Sequence, residues 1–101
     1  MPKLFEYFGL IVLFYSNEHD PIHVHGLYGG REARAELVLR DGKVVRIRFA
    51  NVEGRASLGA RQMRDFRTIV ERHQDKIVRK WIEFFVFHKR IKAQVISRRL
   101  P

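Results

Sequence analysis

The sequence predicts an α+β fold in which an antiparallel sheet of about four to five strands is packed on one face by two C-terminal helices. Two observations carry this prediction. Short alternating apolar and polar segments separated by glycine-containing turns fill residues 1–54, and apolar residues at helical spacing fill residues 55–91. The chain has 101 residues, which suits a single domain over residues 1–101 with a basic tail at 92–101. It has no cysteine, which excludes disulfides and thiolate metal ligands.

The first strands are predicted between Leu4 and Tyr15, as one or two strands around Gly9. The segment from Leu10 to Tyr15 is apolar at both alternating sets of positions. A strand of this kind must be covered on both faces. A helix, the tail or a second subunit could supply the cover, so a homodimer through this segment is one alternative.

A hairpin is predicted next, around the two-residue turn Gly29-Gly30, because both glycines can adopt the positive φ of a primed turn. This turn places Val24 opposite Ala35 and His25 opposite Arg34. Apolar residues then face apolar residues and polar residues face polar residues, which favours this register.

A second hairpin is predicted at residues 40–42, where the sequence reads Arg-Asp-Gly. A two-residue loop would mix the faces, so we predict a three-residue loop with the glycine in the left-handed region. That loop places Arg46 beside Glu36 and Arg48 beside Arg34. The apolar face of the sheet then comprises Ile22, Val24, Ala35, Leu37, Val45 and Ile47.

Two helices are predicted in the second half of the chain. Ser57 is a suitable N-cap for a helix from about Leu58 to His73, and Asp75 can cap a second helix that extends to about Ile91. The second helix has the wider apolar arc, so Trp81 is expected in the core rather than on a base-stacking surface.

Three smaller features complete the element assignment. His73 and His88 fall on the apolar arcs of the two predicted helices, so we expect them to be core residues rather than metal ligands. In the tail, residues 94–96 either pair as a short edge strand or stay loose.

The positive charge is confined to the second half of the chain. The formal net charge is +9, yet residues 1–54 hold seven basic and seven acidic side chains, so residues 55–101 carry the whole excess. This asymmetry favours a polyanionic partner, with a solvated basic face as the alternative. The outer side of the first helix carries candidate contacts to RNA or DNA phosphates, namely Arg61, Arg64, Arg67 and Arg72.

The sequence contains no apolar run of the roughly 18 residues that a transmembrane helix needs and no signal-peptide pattern. We therefore expect a cytoplasmic location and no membrane partner. A P-loop, a dinucleotide-binding fingerprint and a nucleophile-elbow serine are also absent from the sequence, which excludes the enzyme classes that depend on them.

The most distinctive segment holds three histidines in seven residues, namely His19, His23 and His25. The last two are two positions apart on a strand, so their rings share a face, which we expect to look outward from the sheet. Three imidazoles could hold a divalent metal such as Zn²⁺, with Asp20 or Glu36 as a ligand or an orienting group.

Two alternatives to a metal site stay open. The histidines could perform acid–base chemistry on a phosphate held by the guanidinium groups of Arg34, Arg46 and Arg48. They could also simply hydrogen-bond to loop carbonyls or to Glu36, with no chemical role.

The same segment resembles a bacterial family, domain of unknown function 4160. The family pattern is an early strand, a His-x-Pro-x-His-x-His-like segment, a glycine-containing turn, an alanine-bearing strand and two helices, the second with a tryptophan. The matching residues are His19, Pro21, His23, His25, Gly29, Ala33 or Ala35, and Trp81. The chain departs from the pattern at Pro21-Ile22, where many members have Pro-Pro. It also has Phe66 or Val70 where many members have a tryptophan.

The resemblance supplies no established activity. It implies a protein partner of the type called domain of unknown function 2442, encoded nearby in a toxin–antitoxin-like arrangement. The sequence therefore leaves two function classes open. One is an interaction module that binds a partner protein, nucleic acid or both through a basic helical face. The other is a metal- or histidine-dependent ribonuclease or hydrolase centred on His19, His23 and His25. The charge distribution favours the first.

Overall fold

The computed structural model describes residues 2–17 and 21–101, and within them it confirms the α+β prediction. A mostly antiparallel sheet has the strand order β5-β4-β3-β2-β1-β6, in which five strands come from the first half of the chain and the sixth is the short C-terminal strand. The elements in chain order are β1 (Lys3–Tyr7), β2 (Leu10–Leu13), β3 (His23–Tyr28), β4 (Arg31–Arg40), β5 (Lys43–Asn51), α1 (Ala60–Arg72), α2 (Gln74–Phe85) and β6 (Gln94–Val95).

The apolar N-terminal segment forms two strands, as predicted. They turn at Phe8 and Gly9, whose φ angles are 43° and 90°. Strand β2 lies between β1 and β3, and Leu10, Val12 and Leu13 are all buried within one copy of the chain. Burial of this segment therefore does not require a second subunit.

The predicted register of the first hairpin is confirmed. Val24 pairs with Ala35 and His25 pairs with Arg34. Gly29 and Gly30 form the turn, with φ angles of 54° and 82° that suit glycine. Alternation along β3 then directs Val24 toward the helices and both strand histidines toward the opposite face.

The predicted loop of the second hairpin is wrong. Asp41 and Gly42 form a two-residue turn with φ angles of 52° and 78°. A β-bulge follows, with Leu39 opposite Val44 and Val38 opposite Arg46. The bulge takes up one extra residue, Val45, and this restores the alternation that a two-residue turn alone would break.

The bulge shifts the β4–β5 register by two residues from the prediction. Arg48, rather than Arg46, lies opposite Glu36, and Ala50, rather than Arg48, lies opposite Arg34. Because a shift of two keeps the faces, Ile47 still lies on the apolar side beside Leu37. Val45 is 56% exposed and does not belong to the apolar face.

Both helices are shorter than predicted. Helix α1 has Gly59 rather than Ser57 at its N-cap, and no side chain caps it. His73 ends α1 and also precedes α2, which stops at Phe85 rather than near Ile91. The chain leaves helical geometry at His88, which has a φ of 56° and is exposed, so the expectation that it is a core residue is wrong.

The helices cover one face of the sheet. The buried side of α1 comprises Phe66, Ile69 and Val70, and that of α2 comprises Ile77 and Trp81. Gly26 lets α1 approach closely, because a Cβ at this position would lie 2.7 Å from the Phe66 ring. The Trp81 ring packs against Phe14 at 5.5 Å, so this tryptophan is a core residue, as predicted.

The tail adds the predicted edge strand, which is parallel to β1. Gln94 pairs with Phe5, and the Ile96 amide donates to the Glu6 carbonyl at 2.8 Å. Near the C-terminus, the Leu100 amide donates to the Tyr7 hydroxyl at 3.0 Å. In the part of the chain that the structure describes, neither helix is long and apolar enough to cross a membrane.

Replacing Gly26 by alanine should destabilise the fold, because the added methyl would collide with a buried ring that has little room to move. Overpacking of this kind costs about 1–3 kcal/mol, measurable by urea denaturation. Gly59→Ala is the matched control, since its Cβ would meet only the movable side-chain oxygen of Gln62 at 2.8 Å. Equal stability losses for the two variants would contradict the close packing of α1 on β3.

His73 should make the fold less stable in acid. Burial, and then the charges of Lys76 and Arg72, lower the pKa of this imidazole, which stacks on Phe5 at 4.7 Å. As the pH falls below about 6.5, the unfolded chain takes up a proton that the folded chain resists. Stability is therefore fully present above that pH and is lost as the pH falls through the lowered pKa.

The variant His73→Phe keeps the ring contact and removes this titration. Denaturant midpoints between about pH 7.5 and about pH 5 should fall less for the variant than for the wild type. The substitution His88→Asn controls for the loss of an imidazole at an exposed position. Parallel pH curves for wild type and His73→Phe would rule out the assignment.

Candidate functional site

The two strand histidines share a face, but that face is closed. Their ring centroids are 5.2 Å apart. His23 is only 4% exposed and His25 only 5%, so the expectation that these rings look out into solvent is wrong. The ring of His23 lies 5.7 Å from Trp81, and the ring of His25 lies 4.6 Å from Tyr15.

The polar centre of this closed face is Glu32, a buried residue of β4. Its Oε2 accepts a hydrogen bond from the Tyr15 hydroxyl at 3.1 Å and lies 2.8 Å from Nδ1 of His25. Its Oε1 lies 3.4 Å from Nε of Arg55. A buried carboxylate is tolerated when hydrogen bonds and opposite charge replace its water. We call these four residues the Glu32 cluster.

The Glu32 cluster is assembled by the loop that follows β5. The Glu32 amide donates to the Ala56 carbonyl at 2.9 Å, and the Arg31 guanidinium donates to the Ser57 carbonyl at 3.0 Å. The loop is therefore bound back onto the start of β4. This return brings the Arg55 guanidinium to the carboxylate, where it also donates to the Gly30 carbonyl at 3.4 Å.

His23 is held by a different oxygen. Its Nδ1 lies 2.7 Å from the carbonyl of Pro21, so the proton on this nitrogen points to the carbonyl. The alternative that a histidine bonds to a loop carbonyl is thus realised for this ring. In both rings Nδ1 faces a protein oxygen. Metal-binding histidines are oriented in the same way, with one ring nitrogen bonded to a protein oxygen and the other bound to the metal.

The expected third ligand His19 and the expected orienting residue Asp20 lie outside the described residues. Over residues 2–17 and 21–101, no group of three or more His, Cys, Asp or Glu side chains could hold a metal ion. A metal on His23 and His25 would therefore need further ligands from outside the described residues. The residues that the structure describes would contribute two imidazoles, whose Nδ1 atoms are fixed by Pro21 and Glu32.

The three expected anion-binding arginines are not brought together in one row with the histidines. Arg34 lies beside His25 on β4 and is half-buried. Arg46 and Arg48 are exposed on β5, opposite Val38 and Glu36. Glu36 is the β4 partner of His23 in the register, as predicted, but the carboxylate beside a histidine ring in the described residues is that of Glu32.

The arginines of α1 form an open surface instead. Arg61, Arg64, Arg67 and Arg72 are all exposed, and we call them the basic helical face. The guanidinium of Arg67 also lies 4.6 Å above the Phe49 ring, a cation–π contact with β5. The same helix also contains two acidic residues, Asp65 and Glu71. Its four arginines outnumber them, so the helix has a net positive charge.

Sequence reasoning missed three residues of the Glu32 cluster: Tyr15, Glu32 and Arg55. One signal was present for the carboxylate. Glu32 shares a strand face with Arg34, two residues away, and so lies diagonal to His25 across the hairpin. The sequence held no comparable signal for Arg55, which arrives through a loop.

A family model matches most of the chain. The family model described as Domain of unknown function (DUF4160) matches residues 9–82. The chain belongs to this family. The matched DUF4160 range runs from β2 into α2 and contains the whole Glu32 cluster, whereas β1 and β6 lie outside it. No curated protein and no solved structure matches the chain.

Proposed function

We propose that this DUF4160 protein is a non-enzymatic interaction module that binds the phosphate backbone of a nucleic acid through the basic helical face. The observation that carries the proposal is the exposure of all four arginine residues on a helix whose other side is anchored in the core by Phe66, Ile69 and Val70. The arginines are therefore presented on a rigid element rather than on a loose tail.

Electrostatics supports the same assignment. The whole excess charge of +9 falls in residues 55–101, which include both helices and the tail. A guanidinium keeps its charge at any physiological pH and can bind phosphate through two donors. Contacts to phosphates position a protein but do not read bases, so we expect binding with little sequence preference.

Biological context follows from the resemblance alone. The toxin–antitoxin-like pairing with a partner of the domain of unknown function 2442 type stays a prediction. It is compatible with the present proposal, because the basic helical face occupies only one side of the molecule. A protein partner would use a different surface.

Nucleic-acid binding should depend steeply on salt and on the basic helical face. If four arginines each neutralise one phosphate of duplex DNA, affinity should fall roughly 100-fold between about 50 and about 200 mM salt. Fluorescence anisotropy of labelled duplex DNA and single-stranded RNA measures this fall. The triple variant Arg61→Ala/Arg64→Ala/Arg72→Ala should flatten the salt slope by about 2.7.

The matched control removes the same charge elsewhere, as Arg79→Ala/Arg90→Ala/Arg98→Ala. Arg67 is left unchanged in both variants because it also packs on Phe49. An equal loss of affinity in the control would mean that net charge, rather than this face, governs binding. A flat salt response of the wild type would overturn the proposal.

A second candidate function, histidine-dependent hydrolysis, is favoured by one observation. The carboxylate of Glu32 lies 2.8 Å from Nδ1 of His25. Hydrolases use such a carboxylate to fix the tautomer and orientation of a catalytic imidazole. A general base must reach a proton on the substrate, and a ring that is only 5% exposed is poorly placed for this. Burial therefore places this candidate second.

The two candidates differ in an RNA-cleavage assay run with and without added Zn²⁺, alongside metal analysis of the purified protein. The interaction module should leave RNA intact and bind it equally in both conditions. Cleavage that His25→Gln abolishes and His88→Gln retains would establish the hydrolase instead. His88 is the suitable control because it is exposed and lies far along the chain from the cluster.

A further inference from the structure

Strand β5 forms one edge of the sheet. It hydrogen-bonds to β4 on one side and has no strand neighbour on the other in the described chain. At nine residues it is long for an edge. An open edge of this kind presents unpaired N–H and C=O groups to any extended chain that approaches it.

Two cavities lie along this edge, between β5 and the helices. One has a volume of about 400 Å³ and is lined in part by Val44, Val78, Ile82 and Phe87. The other, of about 260 Å³, is lined by residues 44–47 of β5 together with Glu71 and Gln74. Val44 lines both cavities, so they adjoin at this residue, and we call the two together the groove.

Exposed apolar side chains are concentrated at this groove. The described residues include seven large hydrophobic side chains that are exposed, and three of them line the groove: Val45 at 56%, Ile82 at 38% and Phe87 at 62%. Clusters of exposed apolar surface mark interaction sites more often than scattered residues do. The groove and the edge therefore point to one protein-binding surface.

The charges of β5 indicate which kind of chain fits. On the helix side, the Phe49 ring lies 5.8 Å from Phe66, and Ile47 shares that face. Alternation places Arg46 and Arg48 on the other face, where both are exposed; Arg48 lies opposite Glu36 of β4, and Arg46 also reaches the rim of the second cavity. Strand β5 itself contains no acidic residue. The wall of the groove opposite β5 carries Glu71, Asp75 and Glu83 beside Arg79 and Lys89, so it has no excess of positive charge. The unbalanced charge thus belongs to the strand.

This pattern disfavours a second copy of the chain as the occupant. Two β5 strands paired with each other would bring Arg46 and Arg48 of both copies together, and like charges across strands destabilise a sheet. A strand with acidic residues at those positions would instead gain opposite-charge pairs. On the helix side the same strand would need apolar residues to fill the groove.

We propose that β5 accepts an extended segment of a partner protein as an additional strand, in which acidic residues facing Arg46 and Arg48 alternate with apolar residues facing the groove. Backbone hydrogen bonds to the open edge provide affinity, and the alternating side chains provide specificity. This surface meets the basic helical face only where Arg67 packs on Phe49, and Arg67 is left unchanged in every variant below. The inference therefore goes beyond nucleic-acid binding and can fail or succeed independently of it.

The test uses the full chain and a blocked peptide in which Val and Ile alternate with Glu. Amide NMR shifts should move along residues 43–51 and around Phe87, and amides of β5 should gain protection from hydrogen exchange. A scrambled peptide of the same composition should bind at least about 5-fold more weakly, because its acidic residues no longer face one side.

Charge reversal provides the sharper test. The exposed double variant Arg46→Glu/Arg48→Glu should lose at least about 5-fold in affinity for the acidic peptide and gain affinity for the peptide with Lys in place of Glu. The control Arg61→Glu/Arg64→Glu, on the basic helical face, should lose nucleic-acid binding and keep the peptide. Circular dichroism confirms that each variant is folded.

Four outcomes would overturn the inference. They are equal binding of the scrambled peptide, shifts confined to α1, no binding of the alternating peptide at millimolar concentration, and a dimer in sedimentation whose interface maps to β5. The last would make a second copy the occupant. None of these outcomes would affect the salt-dependent binding of nucleic acid by the basic helical face.

Discussion

A sheet has two faces, and the two helices of this protein pack mainly on one of them, with Trp81 of α2 also reaching the ring of His23. Their apolar sides pack on the face that includes Val24 and Ala35, and Gly26 supplies the space that the Phe66 ring occupies. Once the helices are anchored in this way, their polar sides must point outward. The exposed arginines of α1 are thus a consequence of core packing, and this is what makes them a rigid and accessible basic surface.

The second face of the sheet is closed by aromatic rings and polar groups together, since Trp81 lies beside His23 and Tyr15 lies beside His25. Both strand histidines and Glu32 lie there, each less than 6% exposed. Because a buried carboxylate is costly unless it is paired, the contacts of Glu32 with Tyr15 and Arg55 contribute directly to keeping this face shut. The same contacts bind the loop after β5 to the start of β4. The segment whose residue types indicate a chemical site therefore also stabilises the fold.

Local patterns predicted most of the fold. The Gly29-Gly30 turn set the first hairpin correctly, because glycine at both positions admits one main turn geometry. The prediction of the second hairpin was wrong at Val45, because a three-residue loop and a two-residue turn followed by a bulge both preserve the alternation of side chains between the two faces. Sequence periodicity cannot separate them. The end of α2 was missed for a related reason, as apolar residues continue through Phe87 after the backbone has left the helix.

The candidate site was harder to predict because its enclosure is non-local. Alternation placed His23 and His25 on one face correctly, but whether that face is open depends on which later segments return to it. Arg55 reaches Glu32 from a loop that lies more than twenty positions later in the chain, and the local sequence pattern does not indicate this contact. The basic helical face was predictable, since it required only helical periodicity and the count of charges.

The closure of the histidine face can be measured directly by deuterium exchange at the ring Cε1 carbon of each histidine, followed by mass spectrometry of peptides. The exposed ring of His88 serves as the internal reference. If the face is closed, His23 and His25 exchange at least about 10-fold more slowly than His88, because exchange then requires local opening. Exchange of both rings at the rate of His88 would show an open face and would contradict the account.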